Sequence, residues 1–383
     1  MFRQRICVAA LSGNVVRIDK IRVEDQSAPG LHDFEASFLR LIEKLCDGCQ
    51  VEINETGTTM RFKPGILTGG RIVHDCGTSR SIGWYMEGIL PLAIFCKQNV
   101  QLTLTGITND HSDLSVDILK NVTFPLLRNF GIGAANLTVK KRGCYPKGGG
   151  EVDIFIPIVR ELLPVNITEE GLVARVRGTA FCAKVSPTIV SRVVDSARGV
   201  LNKLLPDVYI SSDHFRGANS GHSAGYSLSL VAETTTGALL SVERTAGAPI
   251  AVLEGGGGEG AEDPSLFGFA SEGAGAAQDP PEDVGIQAAH MLLREIQKGG
   301  VVDCMHQPLV LVLMAMGPED VCKVKFGEEL TQSAVQTLQI LKDAFSCVFK
   351  IKREKGPNQQ QGEGSIVLSC LGTGYKNMSR RVV

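Results

Sequence analysis

The sequence predicts an α/β fold, and two observations lead to that prediction. Along most of the chain, short segments with alternating apolar residues, typical of strands, take turns with longer segments whose apolar residues recur at helical spacing. In addition, the order of strand, helix and hairpin in residues 100–156 recurs near the C-terminus. With 383 residues and 43% hydrophobic content, the chain can bury a large core and is expected to form two domains.

The first half of the chain supplies clear strand and helix patterns. Residues 1–23 alternate in a way that predicts two strands around a turn at 12–14, with Ile6 and Val8 in the first strand. Asp33 opens a predicted helix. The elements that follow are predicted as strands at 51–53 and 60–62, a helix at 80–95, a strand at 100–104, a helix at 115–130 and a hairpin of 137–141 with 152–156.

The second half contains two structured segments separated by an acidic one. Residues 246–281 are rich in glycine, alanine and carboxylates and nearly free of large apolar side chains, so a disordered loop is expected there. Leu266–Phe269 is the exception that stands out in it. The elements predicted around it are strands at 172–183, 208–210 and within 228–243, a helix at 187–205, helices at 283–298, 307–316 and 331–345, and strands at 321–326, 347–351 and 366–370.

Composition limits the class of protein. No apolar segment approaches membrane length, because even 89–95 is interrupted by a proline. The 11 cysteines are scattered through apolar segments and are expected to be reduced thiols of a cytosolic or nuclear protein. The net charge is −2, but eight carboxylates fall between residues 245 and 293, where there is no Lys or Arg. The rest of the chain is therefore mildly basic, which permits a polyanionic partner.

One stretch stands out from these patterns. Residues 142–152, Arg-Gly-Cys-Tyr-Pro-Lys-Gly-Gly-Gly-Glu-Val, join two predicted strands through a loop with one proline and three consecutive glycines. Glycines in series let a backbone turn sharply and present its N–H groups to an anion without a Cβ in the way. A tight hairpin would use the same residues. Both interpretations of Gly148, Gly149 and Gly150 stay open on the residues alone.

The whole stretch resembles the signature of the RNA 3′-terminal phosphate cyclase family. Shorter matches extend the resemblance over nearly the whole chain, at 11–13, 20–22, 29–31, 69–70, 108–109 and Asp117. Segments 33–38, 106–110 and 229–235 resemble the non-cyclase, ribosome-biogenesis branch of that family. The resemblance implies three repeated units of paired helices on a small β-sheet, with a smaller α/β domain inserted between the second and third.

The resemblance also implies domain boundaries. Residues 1–171 would form the first two repeats and 172–245 the inserted small α/β domain. Residues 246–281 would be the flexible acidic loop, and 282–383 the third repeat.

The chemistry of a cyclase is missing from the matching positions. The enzymes of the family use a histidine, in the segment His-x-x-Thr/Ser-Ala, to attack the α-phosphate of a nucleotide. Leu330 stands in its place, and an aliphatic side chain has no lone pair with which to form a phosphoramidate. The enzymes' glycine-rich N-terminal segment is also missing, and only Arg3 is retained at an arginine position. We therefore expect no cyclase activity, no catalytic residue carried over and no cofactor.

A basic surface remains as the candidate site. The residues predicted to contact an anion or RNA are Arg3, Lys140, Lys141, Arg142, Lys147, Gly148, Gly149, Gly150, Lys323 and Lys325, with Lys350, Lys352, Arg353 and Lys355 near the last two. Ordinary solvated strand ends would look similar. Cys46-x-x-Cys49 lacks further ligands, so no metal site is expected. Asp303 and His306 are three residues apart, but little favours them as a catalytic pair.

The resemblance implies a nuclear and nucleolar protein of the small-subunit processome. Such a protein would support pre-rRNA cleavage toward 18S rRNA by binding a Bms-family GTPase and RNA, without contact with a membrane. Two alternatives remain: a metal-independent pre-rRNA endoribonuclease that uses basic residues, and an active RNA 3′-terminal phosphate cyclase. The first implication is favoured because no histidine pair or carboxylate cluster in the sequence points to a catalyst.

Overall fold

The computed structural model of the chain describes residues 2–26, 28–246, 279–354 and 364–378. They form several small sheets with helices packed against them, which confirms the predicted α/β class. Most of the predicted acidic loop, including Leu266–Phe269, lies outside the described residues, as does Lys355. None of the described helices is long and apolar enough to cross a bilayer.

The first unit is built on a three-stranded antiparallel sheet of order β1-β4-β3, beside the two-stranded pair β2-β5. Its elements are α1 (Phe2–Ser12), β1 (Val16–Ile18), α2 (Asp33–Leu45), β2 (Cys46–Asp47), β3 (Gln50–Ile53), β4 (Met60–Lys63) and β5 (Ile66–Leu67). The predicted helix at Asp33 is thus confirmed.

The second unit has a four-stranded sheet of order β6-β7-β9-β8. Strands β6 and β7 are parallel, and the other two neighbouring pairs are antiparallel. Its elements are β6 (Gly70–Asp75), α3 (Ile82–Ala93), β7 (Val100–Gly106), α4 (Val116–Ile118), a π-helical turn (Leu119–Thr123), α5 (Phe124–Asn129), β8 (Asn136–Lys141) and β9 (Gly150–Ile156). The hairpin predicted on either side of the glycine loop is the β8–β9 pair.

After β10 (Asn166–Ile167), the chain forms a separate sheet of order β12-β11-β13-β14 with two helices. Its elements are β11 (Val173–Ala183), α6 (Pro187–Leu201), β12 (Val208–Phe215), a 3-10 turn (Gly217–Asn219), β13 (Gly225–Thr234), β14 (Leu239–Thr245) and α7 (Pro281–Gln297). We call this part the small domain.

The third unit repeats the topology of the second. Its sheet has the order β10-β15-β17-β16, again with the first two strands parallel and the other neighbouring pairs antiparallel. Its remaining elements are α8 (Gln307–Ala315), β15 (Val321–Phe326), α9 (Gln332–Phe345), β16 (Lys350–Glu354) and β17 (Ser365–Leu371). In both units, therefore, the strand that comes last in the chain lies in the sheet between the second and the third strand.

The N-terminal prediction is wrong, because α1 replaces the strand expected to contain Ile6 and Val8. Residues 6–11 are all buried, and α1 packs against α3 and α9. A helix that is buried on every side needs no polar face, so its sequence carries no helical period. The alternating β-branched residues Ile6 and Val8 therefore gave a strand-like pattern to a segment that is helical.

The packing of helix α7 differs from the predicted domain boundary at residue 282, which assigned this helix to the third unit. Its buried residues Val284, Ala288 and Leu292 share a hydrophobic core with α6 and the small-domain sheet. By its packing, α7 belongs with the small domain rather than with the third unit. The apolar period of the segment predicted its helix correctly but carries no information about its partner.

The crossing of α6 and α7 gives a test of this packing. A Cβ on Gly285 would lie 2.0 Å from Ser196 Oγ and 2.3 Å from the Val193 carbonyl oxygen. We expect Gly285→Ala to lower the free energy of unfolding by about 1–3 kcal/mol, since the helices must separate. Gly199→Ala on α6 is the matched control, because its Cβ meets nothing within 4 Å. The control should gain about 0.5–1 kcal/mol. Urea denaturation of both variants measures the difference, and equal gains would contradict the packing.

Candidate functional site

The signature loop, which we define as residues 142–150, lies between the second unit and the small domain. The N–H of Arg142 donates to the carbonyl of Asn219 over 3.0 Å, and that of Lys147 donates to Ser223 Oγ over 3.0 Å. In return, the N–H of His222 donates to the carbonyl of Gly148 over 2.9 Å. The loop is thus bound through its backbone to residues 217–223 of the small domain.

Close packing accounts for the glycines of the loop. A Cβ on Gly150 would lie 2.5 Å from Thr108 Cγ2, and one on Gly149 would lie 2.4 Å from His222 Cδ2. Gly149 also has a φ of +82°, which L side chains rarely adopt. The N–H of Gly148 donates to the carbonyl of Cys144 over 2.9 Å and therefore is not free for an anion. The geometry favours the hairpin interpretation over an anion cradle.

Arg142, predicted as an anion contact, is buried, with only 2% of its side chain exposed. Its guanidinium donates to both carboxylate oxygens of Asp117, over 2.5 and 2.7 Å. The same group lies 4.5 Å from the ring centroid of Phe181 and 5.2 Å from that of Phe215, within cation–π range. Asp117 belongs to the second unit and both rings to the small domain. The prediction is corrected here: Arg142 joins the two parts and does not face a phosphate in solvent.

A second carboxyl group completes this buried cluster. Glu243, on β14, accepts a hydrogen bond from Asn109 Nδ2 over 2.8 Å, and Asn109 also contacts Arg142 and Asp117. Burial, reinforced by the negative charge of Asp117, raises the pKa of Glu243 to about 8. The carboxyl group is therefore protonated at neutral pH, and the Arg142–Asp117 pair keeps a balanced charge.

The lysines near the loop border an open groove of about 330 Å³. Lys141, Lys147 and His222 line it together with Asp75 and Glu151. Lys141 lies 3.4 Å from Glu151, so its charge is partly compensated. Lys147 is exposed and has no ion pair among the described residues. Of the loop candidates, Lys147 is the cation most available to an anionic ligand.

Lys140 lies outside the groove on the same sheet. Its Nζ is 3.2 Å from Glu151 and 2.6 Å from Asp153, both on the neighbouring strand β9. Two carboxylates thus face one ammonium group. This lysine is a weak candidate for an external anion.

Arg3 is also committed to another residue. It forms an ion pair with Glu87 of α3 and donates to the carbonyl of Trp84. Its guanidinium lies 5.0 Å from the centroid of the Trp84 ring. The prediction of an anion contact at Arg3 is therefore replaced by a helix-to-helix contact between α1 and α3.

Leu330, which the family resemblance predicts to occupy the nucleophile's position, packs against the large hydrophobic core just before α9. Thr331 caps that helix by accepting a hydrogen bond from the N–H of Ala334 over 3.1 Å. The N–H of Thr331 donates to Gln307 Oε1 over 2.8 Å. The N–H groups of Thr331 and Ala334 at the helix start are thus bonded within the protein.

His306 lies next to Gln307 and is the histidine to consider as a substitute nucleophile. Its Nδ1 is 2.6 Å from Asp303 Oδ1 and its Nε2 is 2.8 Å from Thr123 Oγ1, and all three side chains are buried. Burial alone would lower the pKa of His306, but the charge and the hydrogen bond of Asp303, together with the charge of Glu87, outweigh it and raise the pKa. Both ring nitrogens are occupied, so this pair connects the third unit to the π-helical turn and has no access to a nucleotide.

The C-terminal candidates Lys323 and Lys325 lie on β15, in a different sheet from the signature loop. Lys325 Nζ is 3.1 Å from Glu170, whereas Lys323 is exposed. Cys46 is buried and Cys49 half-buried, both as free thiols. Within the described ranges, no three His, Cys, Asp or Glu side chains converge as metal ligands. The ten predicted residues therefore do not form one site.

The sequence analysis missed Glu243, Phe181, Phe215 and the role of His222. Glu243 alternates with the core residues Leu240 and Val242, so strand alternation predicts it on the opposite, more polar face. The others carry no local signal. Phe181 and Phe215 resemble ordinary core residues, and His222 becomes a lining residue only when the small domain meets the signature loop.

Comparison with known proteins adds to this geometry. A family model described as RNA 3′-terminal phosphate cyclase matches residues 1–351. The chain is 43% identical over 380 residues to an RNA 3′-terminal phosphate cyclase-like protein of Homo sapiens, covering 99% of this chain and 95% of the relative. It is 42% identical to a probable RNA 3′-terminal phosphate cyclase-like protein of Dictyostelium discoideum, over 99% and 97% of the two chains. It is 39% identical to the rRNA processing protein rcl1 of Schizosaccharomyces pombe, over 99% and 95%.

The protonated state of Glu243 gives a pH-dependent prediction. The unfolded carboxyl group titrates near 4.5 and the folded one near 8, so the folded chain binds the extra proton between these values. Stability that is fully present below pH 4.5 is therefore lost as pH rises toward 8. Glu243→Gln keeps a neutral side chain of the same shape and should remove this loss.

We expect the two proteins to be similar in stability at pH 5. At pH 8.5 the variant should be the more stable by about 3–5 kcal/mol. Urea denaturation at both values measures the difference. Parallel pH profiles for the wild type and the variant would show that Glu243 is ionised in the folded protein.

Proposed function

The chain belongs to the RNA 3′-terminal phosphate cyclase family, and we propose that it is a non-cyclase member that acts in rRNA processing. In this proposal it is a nucleolar component of the small-subunit processome. It supports pre-rRNA cleavage toward 18S rRNA by binding a Bms-family GTPase and RNA. The proposal is supported by the 39% identity, over nearly full length, to a relative named for rRNA processing.

The observation that carries the non-cyclase part is the side chain at the nucleophile position. Leu330 packs against the core, and an aliphatic carbon cannot attack a phosphate. His306, near that position in the fold, is buried with both ring nitrogens engaged. Arg3 is held by Glu87 and is not directed toward a nucleotide. The scaffold is therefore suited to binding rather than to nucleotidyl transfer.

Two assays test this proposal. Depletion of the chain from cells should reduce 18S rRNA without reducing the large-subunit rRNA, and an affinity-tagged chain should capture the Bms-family GTPase. Leu330→Met should restore 18S rRNA as well as the wild type does, because methionine keeps the packing at a cost below about 1.5 kcal/mol. Normal 18S rRNA after depletion would refute the proposed role. A covalent adduct of the purified chain with labelled ATP would refute its non-cyclase part.

The groove beside the signature loop favours a second candidate function, a metal-independent endoribonuclease. Cleavage by the RNA's own 2′-hydroxyl needs a base and a group that stabilises the leaving oxygen. His222 and Lys147 line one groove and have the chemistry for these two roles. Arg142, which is buried, is not available for either.

Purified protein and a pre-rRNA fragment separate this candidate from a binding role. If the groove is catalytic, His222→Ala should lower the cleavage rate at least about 100-fold, the scale of general acid–base catalysis. His290→Ala, an exposed histidine on α7, is the matched control and should leave the rate unchanged. If the wild-type protein does not cleave the fragment, or if both variants cleave it at equal rates, the endoribonuclease is excluded and only the binding role remains.

A further inference from the structure

The outer face of the third sheet carries an ordered group of lysines. In the strand register, Ser369 of β17 lies between Lys323 of β15 and Lys350 of β16. One step along the strands, Val367 lies in the same way between Lys325 and Lys352. We call these four lysines the lysine face. From strand geometry, the rows are about 7 Å apart and the two lysines of a row about 10 Å apart.

The opposite side of this sheet is the core side. Cys322, Val324 and Phe326 of β15 are buried, as are Ile366 and Leu368 of β17. The alternation along both strands therefore directs the lysines away from the core. Lys323, Lys350 and Lys352 are exposed, whereas Lys325 is only half-buried and its neighbour Val367 is buried. Beyond the first row, the exposed pair Val321 and Leu371 ends the charged area.

The second unit serves as an internal comparison, because its sheet has the same strand order. There the strand equivalent to β17 is β9, and its outward residues include Glu151 and Asp153. These carboxylates neutralise Lys140 of the edge strand β8. In the third sheet the middle strand offers Ser369 and Val367 instead, so this strand supplies no carboxylate to the lysines.

The ion pairs of the third sheet agree with this difference. Among the residues that the structure describes, Lys323 and Lys350 have no carboxylate within ion-pair distance. Lys325 has Glu170 at 3.1 Å, and Lys352 has only the exposed Glu354 at 3.7 Å. An exposed pair of this kind contributes little. Within the described part of the chain, the row of Lys323 and Lys350 is therefore the one with no carboxylate partner.

We propose that the lysine face is a docking surface for the phosphate backbone of RNA, without choice of sequence. Lysine is a compact point charge suited to phosphate, whereas protein interfaces are depleted in lysine and depend on aromatic and arginine anchors. The two lysine rows contain neither anchor type. They also offer no ring on which a base could stack, so the contacts are with phosphates alone. This inference rests on the proposed function, since it names the surface through which the chain holds pre-rRNA.

The test measures how RNA affinity depends on salt. Fluorescence anisotropy with a labelled single-stranded RNA of mixed sequence gives the binding constant from 50 to 300 mM salt for the wild type and for the double variant Lys323→Gln/Lys350→Gln. Each phosphate contact adds roughly 0.7 to the slope of log K against log salt for a single strand. The double variant should lose about 1.4 of that slope, which corresponds to roughly 25-fold in affinity at 0.1 M salt.

Lys140→Gln/Lys376→Gln is the matched control, because it removes the same charge from lysines that already have carboxylate partners and lie outside the groove. Its slope should stay close to that of the wild type, and thermal unfolding confirms that both variants fold. Equal loss of slope in both double variants, or none in either, would overturn the proposal. Loss of GTPase capture with unchanged RNA binding would assign the face to a protein instead.

Absence of RNA binding by the wild type would also overturn the proposal that the lysine face binds RNA. That result would leave the 18S rRNA assay to decide the proposed function separately. The reverse result, RNA binding through the lysine face with normal 18S rRNA after depletion, would support the surface and refute the role in processing.

Discussion

The buried pair of Arg142 and Asp117 is the interaction on which the arrangement of the molecule depends. It lies where the second unit meets the small domain, with the guanidinium between the rings of Phe181 and Phe215. A buried ion pair repays its desolvation only with good geometry and additional hydrogen bonds, and removal of one partner costs about 3–5 kcal/mol. The bidentate contact and Asn109 meet these conditions. Arg142, the first residue of the signature loop, directly follows the end of β8 at Lys141, which brings its side chain to this junction.

The sequence predicted most elements but not their assembly. The helix from Asp33 to Leu45 and the β8–β9 hairpin were predicted because an apolar stripe or an alternating strand leaves a period in the sequence. Helix α1 was not predicted, because complete burial removes the apolar period from its sequence. The packing partner of α7 was not predicted either, because contacts between distant segments leave no periodic pattern. Arg142 shows the same limit. An arginine beside a glycine loop suggests a phosphate, and only the fold reveals that Asp117 occupies it.

The segment around Leu330, where the family resemblance predicts the loss of a nucleophile, has structural contacts of its own. The side chain of Leu330 packs against the core, and Thr331 and Gln307 accept hydrogen bonds at the start of α9. These residues therefore contribute to folding. Positively charged residues remain on the surface, at Lys147 and on the lysine face, where they cost little stability. In such a protein, binding can change through surface residues while the core stays as it is.

The single residue Val302 has a mechanical consequence. It bridges Leu239 at the edge of the small-domain sheet and Phe326 at the end of β15, so hydrogen bonds run from one sheet into the other. The signature loop fastens the same domain to the second unit from another direction. A body anchored at two separate places cannot swing about either one. Ligands bound to different units of this protein would therefore be kept at a constant separation and angle.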